Sequence, residues 1–213
     1  MRHAVRSFVS SSRTRRGALA LIVLTGMVAL PSCTKQQTEG QSSSYLIMDS
    51  ILAARGSEPD EEAGVLDSDV ETNGSVYADI GRVTLRLGLK DPGPSTNPST
   101  PTTTNYITVT RYHVKYARSD GRNTQGVDVP FEFDGGSTVT VTEAGGMLEI
   151  TLVRVQAKLE APLRSLVKLG GSVAITAIAE VTLYGKDQAG RDISVKGAIT
   201  VNFADFADSG GSN

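Results

Sequence analysis

Apolar and polar side chains alternate along most of the chain between residues 45 and 206, and a period of two is typical of β-strands. Val83 and Leu85 fall on one face of their segment, while Thr84 and Arg86 fall on the other. The same alternation recurs in 127–133, 137–142, 173–183 and 193–203. Strands with one apolar face suit antiparallel sheets that are packed on one side. The pattern therefore predicts an all-β domain, a two-sheet antiparallel sandwich of about seven to nine strands.

Two long segments change the face on which their apolar residues lie. Val109 and Val114 have opposite parity in the first segment, as do Leu152 and Val153 in the second. A one-residue insertion restores the apolar face because it shifts the strand by one position. We therefore expect β-bulges near Thr110-Arg111 and Leu152-Val153.

The segment 161–171 has the start and stop residues of one short helix, which would cross between the sheets. Pro162 stands at a plausible first helical position, and Gly170 and Gly171 follow the end. Downstream, residues 187–190 read Asp-Gln-Ala-Gly, which predicts a hairpin turn into the last strand.

The run from Tyr112 through Val114 and Tyr116 to Asp120-Gly121 resembles the third strand of fibronectin type III and immunoglobulin-like modules. Those modules have a similar aromatic-x-Val-x-Tyr run that leads to an Asp-Gly turn. The resemblance implies an immunoglobulin-like sandwich with a helical turn between the sheets and a terminal hairpin.

The first 30 residues have the organisation of an export signal. Residues 1–16 hold five arginines and no acidic residue, and residues 17–30 carry no charge. A membrane-spanning helix needs about 20 apolar residues, so the uncharged segment has the length of a signal-peptide apolar region.

Leu30-Pro-Ser-Cys33 resembles the lipobox of bacterial lipoproteins. The resemblance implies that the Cys33 thiol receives a diacylglycerol and becomes the new N-terminus after cleavage behind Ser32. An ordinary signal peptide with an incidental cysteine is the alternative. Arg15-Arg16 also resembles a twin-arginine export signal, so the route of export stays open. Thr34, which is not aspartate, is compatible with outer-membrane delivery by analogy with enterobacterial sorting.

These features divide the chain into a signal peptide (1–32), a flexible tether (33–44), a β-sandwich domain (45–206) and a disordered tail (207–213). The domain contains a Pro/Ser/Thr-rich loop at 91–105, which either stays plainly solvated or carries O-glycans. Loss of the leader lowers the basic count from 21 to 16 against 23 acidic groups, a net charge of −7. That balance argues against nucleic acid as a partner.

An acidic stretch offers one candidate metal site. Asp67, Asp69 and Glu71 alternate as oxygen ligands of calcium do. The EF-hand pattern fails because Thr72 stands where glycine is required and Ala78 where the bidentate acid is required. A solvated acidic loop is the favoured interpretation, and calcium is the alternative.

The loop at 118–126 is the candidate binding site, because loops on a rigid sandwich are common binding positions. A polar hairpin connection is the favoured interpretation of this loop, and binding is the alternative. The candidate binding residues are Tyr112, Tyr116, Arg118, Asp120, Arg122 and Asn123.

Catalytic motifs are missing from the sequence. His113 is the sole histidine after removal of the leader, and no nucleophile or metal-protease motif accompanies it. We therefore expect no enzyme and no cofactor, but a non-enzymatic binding or assembly module. It would be lipid-anchored in the bacterial cell envelope, facing the periplasm or the cell surface, with an envelope protein as partner. The alternatives are an accessory hydrolase that uses carboxylates and a small-ligand carrier with a pocket between the sheets.

Overall fold

The structure, a computed structural model, describes residues 41–206, which fold mainly as β-strands. The strands are β1 (Ser44–Ala54), β2 (Val65–Asp69), β3 (Asp79–Leu89), β4 (Ile107–Ala117), β5 (Phe133–Val141), β6 (Gly146–Val153), β7 (Ile175–Asp187) and β8 (Asp192–Ala204). The helical elements of this part of the chain are α1 (Val155–Leu159) and two 3₁₀ turns, Thr103–Asn105 and Leu163–Leu166.

The strands form two sheets. One has three strands in the order β1-β3-β6, and the other has five in the order β2-β8-β7-β4-β5. The predicted all-β architecture with two sheets is confirmed. All the pairs are antiparallel except β2 with β8, which run parallel from Val65 opposite Thr200 to Asp69 opposite Ala204. The expectation of purely antiparallel sheets is wrong at this edge, because alternation fixes which face is apolar and not which way a neighbour runs.

The core lies between the inner faces of the two sheets. Val83 and Leu85 of β3 are fully buried, as are Val109 of β4 and Val181 of β7. A fully buried side chain of this kind contributes about 1.5–3 kcal/mol relative to an exposed one. Apolar burial therefore holds the sheets together, and the domain contains no cysteine that could assist.

The first predicted bulge is confirmed. The register of β4 shifts between Val109 and Arg111 against both of its neighbours. Ile107 and Val109 before the shift and Val114 after it are all fully buried. The extra residue therefore returns the apolar residues of β4 to the core, as the change of parity predicted.

The second predicted bulge is also confirmed, because the register of β6 against β3 shifts between Thr151, opposite Ile80, and Val153, opposite Asp79, which leaves Leu152 as the extra residue. Strand β6 ends at Val153, and α1 begins two residues later at Val155. Val153 and Ala157 are both buried, and their spacing of four residues is helical rather than extended. The change of parity in this segment therefore reflects the bulge, and the chain leaves the sheet for α1 directly after it. Within the helix predicted over 161–171, only the 3₁₀ turn Leu163–Leu166 forms. The helix α1 lies before it, at Val155–Leu159, where a strand was expected, and the two elements together connect the two sheets.

Two other predicted strand boundaries are wrong. The segment 127–133 is not a strand, since only Phe133 belongs to β5, which begins four residues before the predicted start at Ser137; β7 begins at Ile175 rather than Val173. The backbone N–H of Gly126 donates to Val129 O at 2.8 Å, which closes a turn in place of an extended strand. The predicted turn at 187–190 is confirmed by a hydrogen bond from Gly190 N to Asp187 O at 3.0 Å.

The strand directions define two ends of the sandwich. The proximal end contains Ser44, where β1 begins, together with the connections 90–106, 142–145 and 188–191. The distal end contains the connections 55–64, 70–78, 118–132 and 154–174. The hydrogen bond from Ser68 Oγ to Asp79 Oδ2, which joins β2 to β3, shows that both sheets contribute to this end.

Candidate functional site

Cys33 and the leader lie outside residues 41–206, as does the tail 207–213, so the lipid-anchor hypothesis stays a prediction. Within 41–206, no helix is long and apolar enough to cross a bilayer.

Tyr112 and Tyr116 lie in the core and not on a surface. Their side chains are 5% and 2% exposed. The Tyr112 hydroxyl accepts a hydrogen bond from Thr151 N at 3.1 Å, and the Tyr116 hydroxyl donates to Leu152 O. These two tyrosines do not reach the surface at which the sequence led us to expect binding, because both serve the packing of the two sheets.

The other four candidate residues come together in one turn but bond to one another. Asp120 accepts hydrogen bonds from the Arg118 guanidinium at 2.6 and 3.1 Å and from Arg122 Nε at 3.1 Å. Asn123 Oδ1 accepts from the Arg118 backbone N–H at 2.6 Å. The bonds from Arg118 and Arg122 hold the pKa of the Asp120 carboxyl well below its usual range. The turn is a self-satisfied connection, which agrees with the polar hairpin interpretation.

The proposed calcium ligands have protein partners. Asp67 Oδ1 accepts from Asn202 Nδ2 at 2.9 Å, and Asp69 accepts from the Thr72 hydroxyl at 2.6 Å and from Phe206 N at 3.1 Å. Glu71 follows β2 on the connection to β3. Among the residues with described coordinates, no three His, Cys, Asp or Glu side chains are grouped so as to hold a metal. The structure therefore gives the calcium alternative no geometric support.

His113 lies on the outer face of the five-stranded sheet, where its ring is half-buried between two carboxylates. Its Nε2 is 3.6 Å from Glu132, and its Nδ1 is 3.4 Å from Asp134. The Arg111 guanidinium also contacts Asp134 at 2.8 Å and lies 4.0 Å from the centre of the Tyr184 ring. This group is a charge network on a sheet surface, consistent with the structural role expected of the histidine.

A shallow pocket of about 280 Å³ lies beside β2 at the distal end. Its floor includes Ala53 and Leu66, and its rim includes Arg55 with Glu58 and Asp67. Arg55 lies 3.7 Å from Glu58 and 4.0 Å from Asp67, so the cation partly neutralises the acids that surround it.

The most unusual chemistry is a buried ion pair that the sequence analysis missed. Lys158 Nζ of α1 lies 2.9 Å from both carboxylate oxygens of Asp79, at the start of β3. The side chains of Lys158 and Asp79 are 2% and 1% exposed. Ser68 Oγ donates to Asp79 Oδ2 at 2.6 Å, and Gly56 N donates to Oδ1 at 3.1 Å.

Burial lowers the pKa of the Lys158 ammonium, and the adjacent Asp79 carboxylate opposes that shift. Charged groups are buried rarely and only with partners. In the sequence, Lys158 follows Val155 and Ala157 and looks like the polar face of a regular segment. Nothing in the local pattern points to Asp79, because the two residues are 79 positions apart.

The distal end also carries most of the exposed large apolar side chains. Twelve such residues are exposed in the described part of the chain, and seven belong to distal connections or to α1. The two most exposed of these seven side chains are Val127, 68% exposed, and Phe131, 48% exposed. The seven are Tyr77, Val127, Phe131, Val155, Leu159, Leu169 and Val173.

The proximal connections contribute none of these twelve residues. Scattered exposed apolar side chains are ordinary on protein surfaces, so what distinguishes the distal end is the contrast with the proximal connections. We refer to these seven residues as the distal apolar set. Neither a protein-family model, nor a curated protein, nor a solved structure matches this chain.

Proposed function

We propose that this protein is a lipid-anchored, non-enzymatic binding or assembly module of the bacterial cell envelope. Its anchor is Cys33, and the tether that follows ends before Ser42, because Ser42 and Ser44 are buried in the domain. Its sandwich belongs to the immunoglobulin-like class, which is supported by the aromatic run of β4 leading to the turn at Asp120-Gly121. Two or more acyl chains supply stable attachment, so the sandwich itself needs no membrane-binding surface.

The observation that carries the proposal is the unequal distribution of exposed apolar side chains between the two ends. The tether joins the sandwich at the proximal end, where Ser44 begins β1. The distal apolar set lies on the connections at the opposite end. A module tethered at one end and apolar at the other holds its binding loops away from the lipid surface, toward a protein partner.

Acidic residues beside the distal apolar set define the partner further. Glu58 and Asp67 line the shallow pocket at this end, with Arg55 between them. The mature chain is acidic as a whole. A partner surface with an apolar centre and a basic rim therefore complements this end in both respects.

Substitution of the most exposed distal residues tests the proposal. The double variant Val127→Ser/Phe131→Ser removes two apolar side chains that are 68% and 48% exposed. We expect at least about tenfold weaker recovery of cross-linked envelope proteins with the double variant than with wild type, since interface anchors contribute at least about 1.4 kcal/mol each. The measurement is quantitative mass spectrometry after in-cell cross-linking of the full-length protein.

Met147→Ser is the matched control, because Met147 is 66% exposed but lies on β6, at the proximal end. The control should recover the same proteins as wild type. Equal losses in both variants, or no loss in either, would contradict a distal binding surface. Thermal unfolding of the purified variants checks that exposed substitutions leave the fold intact.

A further inference from the structure

We propose that Lys158 and Asp79 become joined by an intramolecular amide bond after the domain has folded. This covalent modification is independent of the proposed binding function. Its geometric basis is the position of Lys158 Nζ, 2.9 Å from both oxygens of the Asp79 carboxyl. Contact with both oxygens keeps the amine beside the carboxyl group whose carbon it would attack, so no large movement is needed to bring the reacting atoms together.

Burial supplies the second condition, because attack on the carboxyl carbon needs a neutral amine. At 2% and 1% exposure, the two side chains are removed from the water that would stabilise their charges. Transfer of one proton from Nζ to the carboxylate along the existing hydrogen bond gives the neutral pair. Burial lowers the pKa of Lys158 and thereby favours this transfer.

The reaction is a condensation that requires no oxidant, reductant or added group. Lys158 Nζ attacks Asp79 Cγ, so one N–C bond forms and a tetrahedral carbon results. The C–Oδ2 bond then breaks, and the departing oxygen leaves as water with two protons, one from the carboxyl and one from the amine. The product is a neutral secondary amide in place of two buried charges.

Two hydrogen-bond donors already lie on the oxygens at which charge changes. Gly56 N donates to Oδ1 at 3.1 Å, where it stabilises negative charge in the tetrahedral intermediate. Ser68 Oγ donates to Oδ2 at 2.6 Å, where it assists departure of that oxygen. Both are positioning groups, and neither is consumed.

Gly56 is fixed in this position by its surroundings. A Cβ at residue 56 would lie 2.1 Å from Ala78 O and 2.7 Å from Tyr77 Cβ, so the backbone can approach Asp79 this closely only with glycine. This close approach allows the Gly56 N–H to donate its hydrogen bond to the Asp79 carboxyl.

The bond would tie the start of β3 to α1 across 79 residues of chain. The domain has no cysteine for a disulfide, and a cross-link over so long a loop constrains the unfolded chain strongly. The amide bond would therefore stabilise this exported domain covalently, as a disulfide does in exported domains that contain cysteine pairs.

Peptide mapping of the purified full-length protein tests the proposal directly. Trypsin cleaves after lysine and arginine, and the residues flanking the pair place Asp79 in peptide 56–82 and Lys158 at the end of peptide 155–158. We expect instead one joined species of 56–82 with 155–164, uncut after Lys158, with a mass lower by one water than the sum of its two parts. Recovery of free 56–82 and 155–158 as the main products would overturn the proposal.

Two lysine variants assign the donor. Lys158→Arg keeps a cation beside Asp79 but removes the amine, so the joined species should disappear. Lys115→Arg, on the exposed face of β4, should leave it unchanged. Persistence of the joined species in Lys158→Arg would overturn the assignment. The wild-type digest remains decisive even if Lys158→Arg fails to fold.

Discussion

At the scale of single residues, Asp120 is a surface carboxylate whose hydrogen bonds are made to neighbouring residues of its own turn. Its carboxylate accepts hydrogen bonds from the side chains of Arg118 and Arg122. The Asp-Gly sequence was sufficient to predict a turn here, because the glycine at 121 has a φ of 80° that favours glycine. It was not sufficient to predict whether the surrounding side chains face a partner or one another, since that choice depends on rotamers that the sequence pattern does not encode.

The Asp120 bonds predict a specific acid titration. Because the folded-state pKa lies below the unfolded value of about 3.9, this carboxylate contributes stability above about pH 4, and that contribution disappears as pH falls through the folded pKa. Arg118→Ala should raise the Asp120 pKa toward the unfolded value, whereas Arg86→Ala, whose partner is Asp49, should not. Carboxyl ¹³C NMR shifts across an acid titration provide the measurement. An unchanged Asp120 titration in Arg118→Ala would contradict the bonding described.

At the scale of elements, the outer edge of β6 is covered by hydroxyl groups from the other sheet. Ser137 Oγ donates to Glu149 O at 2.8 Å, while the two buried tyrosines bond to Thr151 N and Leu152 O. An edge strand with unpaired backbone groups is a template for aggregation, and these side chains occupy it. Alternation predicted β6 but not its partners, because they come from β4 and β5, 36 or more residues away for each tyrosine.

Removal of the Tyr116 hydroxyl should therefore destabilise the sandwich. Tyr116→Phe leaves the buried carbonyl of Leu152 without its donor, which costs about 1–3 kcal/mol. Tyr77→Phe is the control, because Tyr77 is 43% exposed and its change should stay within about 0.5 kcal/mol. Urea unfolding followed by circular dichroism measures both. Equal stability of the two variants would show that the hydroxyl contributes nothing at this edge.

Alternation of apolar residues predicted the two-sheet core and the bulges in β4 and β6, since each depends on local parity alone. The helix α1 was missed because Val153, Val155 and Ala157 continue an alternation that fits a strand as well. The Lys158–Asp79 pair was missed for a different reason, since its members meet only when α1 packs against the start of β3.

At the scale of the whole molecule, the architecture separates attachment from the distal surface. Ser44 begins β1 at the proximal end, and the distal apolar set lies beyond the opposite ends of the strands. The seven residues of that set come from separate connections, which is why the sequence did not reveal them as a group. These residues lie at the distal end because of the directions in which the strands run, and those directions are a property of the complete fold.

Substitution of Cys33 tests the attachment half of this arrangement. Cys33→Ser removes the thiol that the lipobox resemblance assigns to lipid, so we expect loss of radiolabelled palmitate and of the membrane-bound fraction. The thermal unfolding of the secreted domain should be unchanged, because residue 33 precedes β1 by eleven positions. Ser32→Ala keeps a small residue before the cysteine and should remain lipidated. Retention of Cys33→Ser in the membrane would contradict the lipid anchor.

The position of β8 has a consequence for the order in which the protein can be made. This strand is the last of the eight, yet it lies inside the five-stranded sheet between β2 and β7. Until it is synthesised, β2 has no neighbour in its sheet and β7 lacks one of its two partners. The five-stranded sheet is therefore completed only when β8 has emerged from the ribosome, and a chain in transit remains incompletely folded until then.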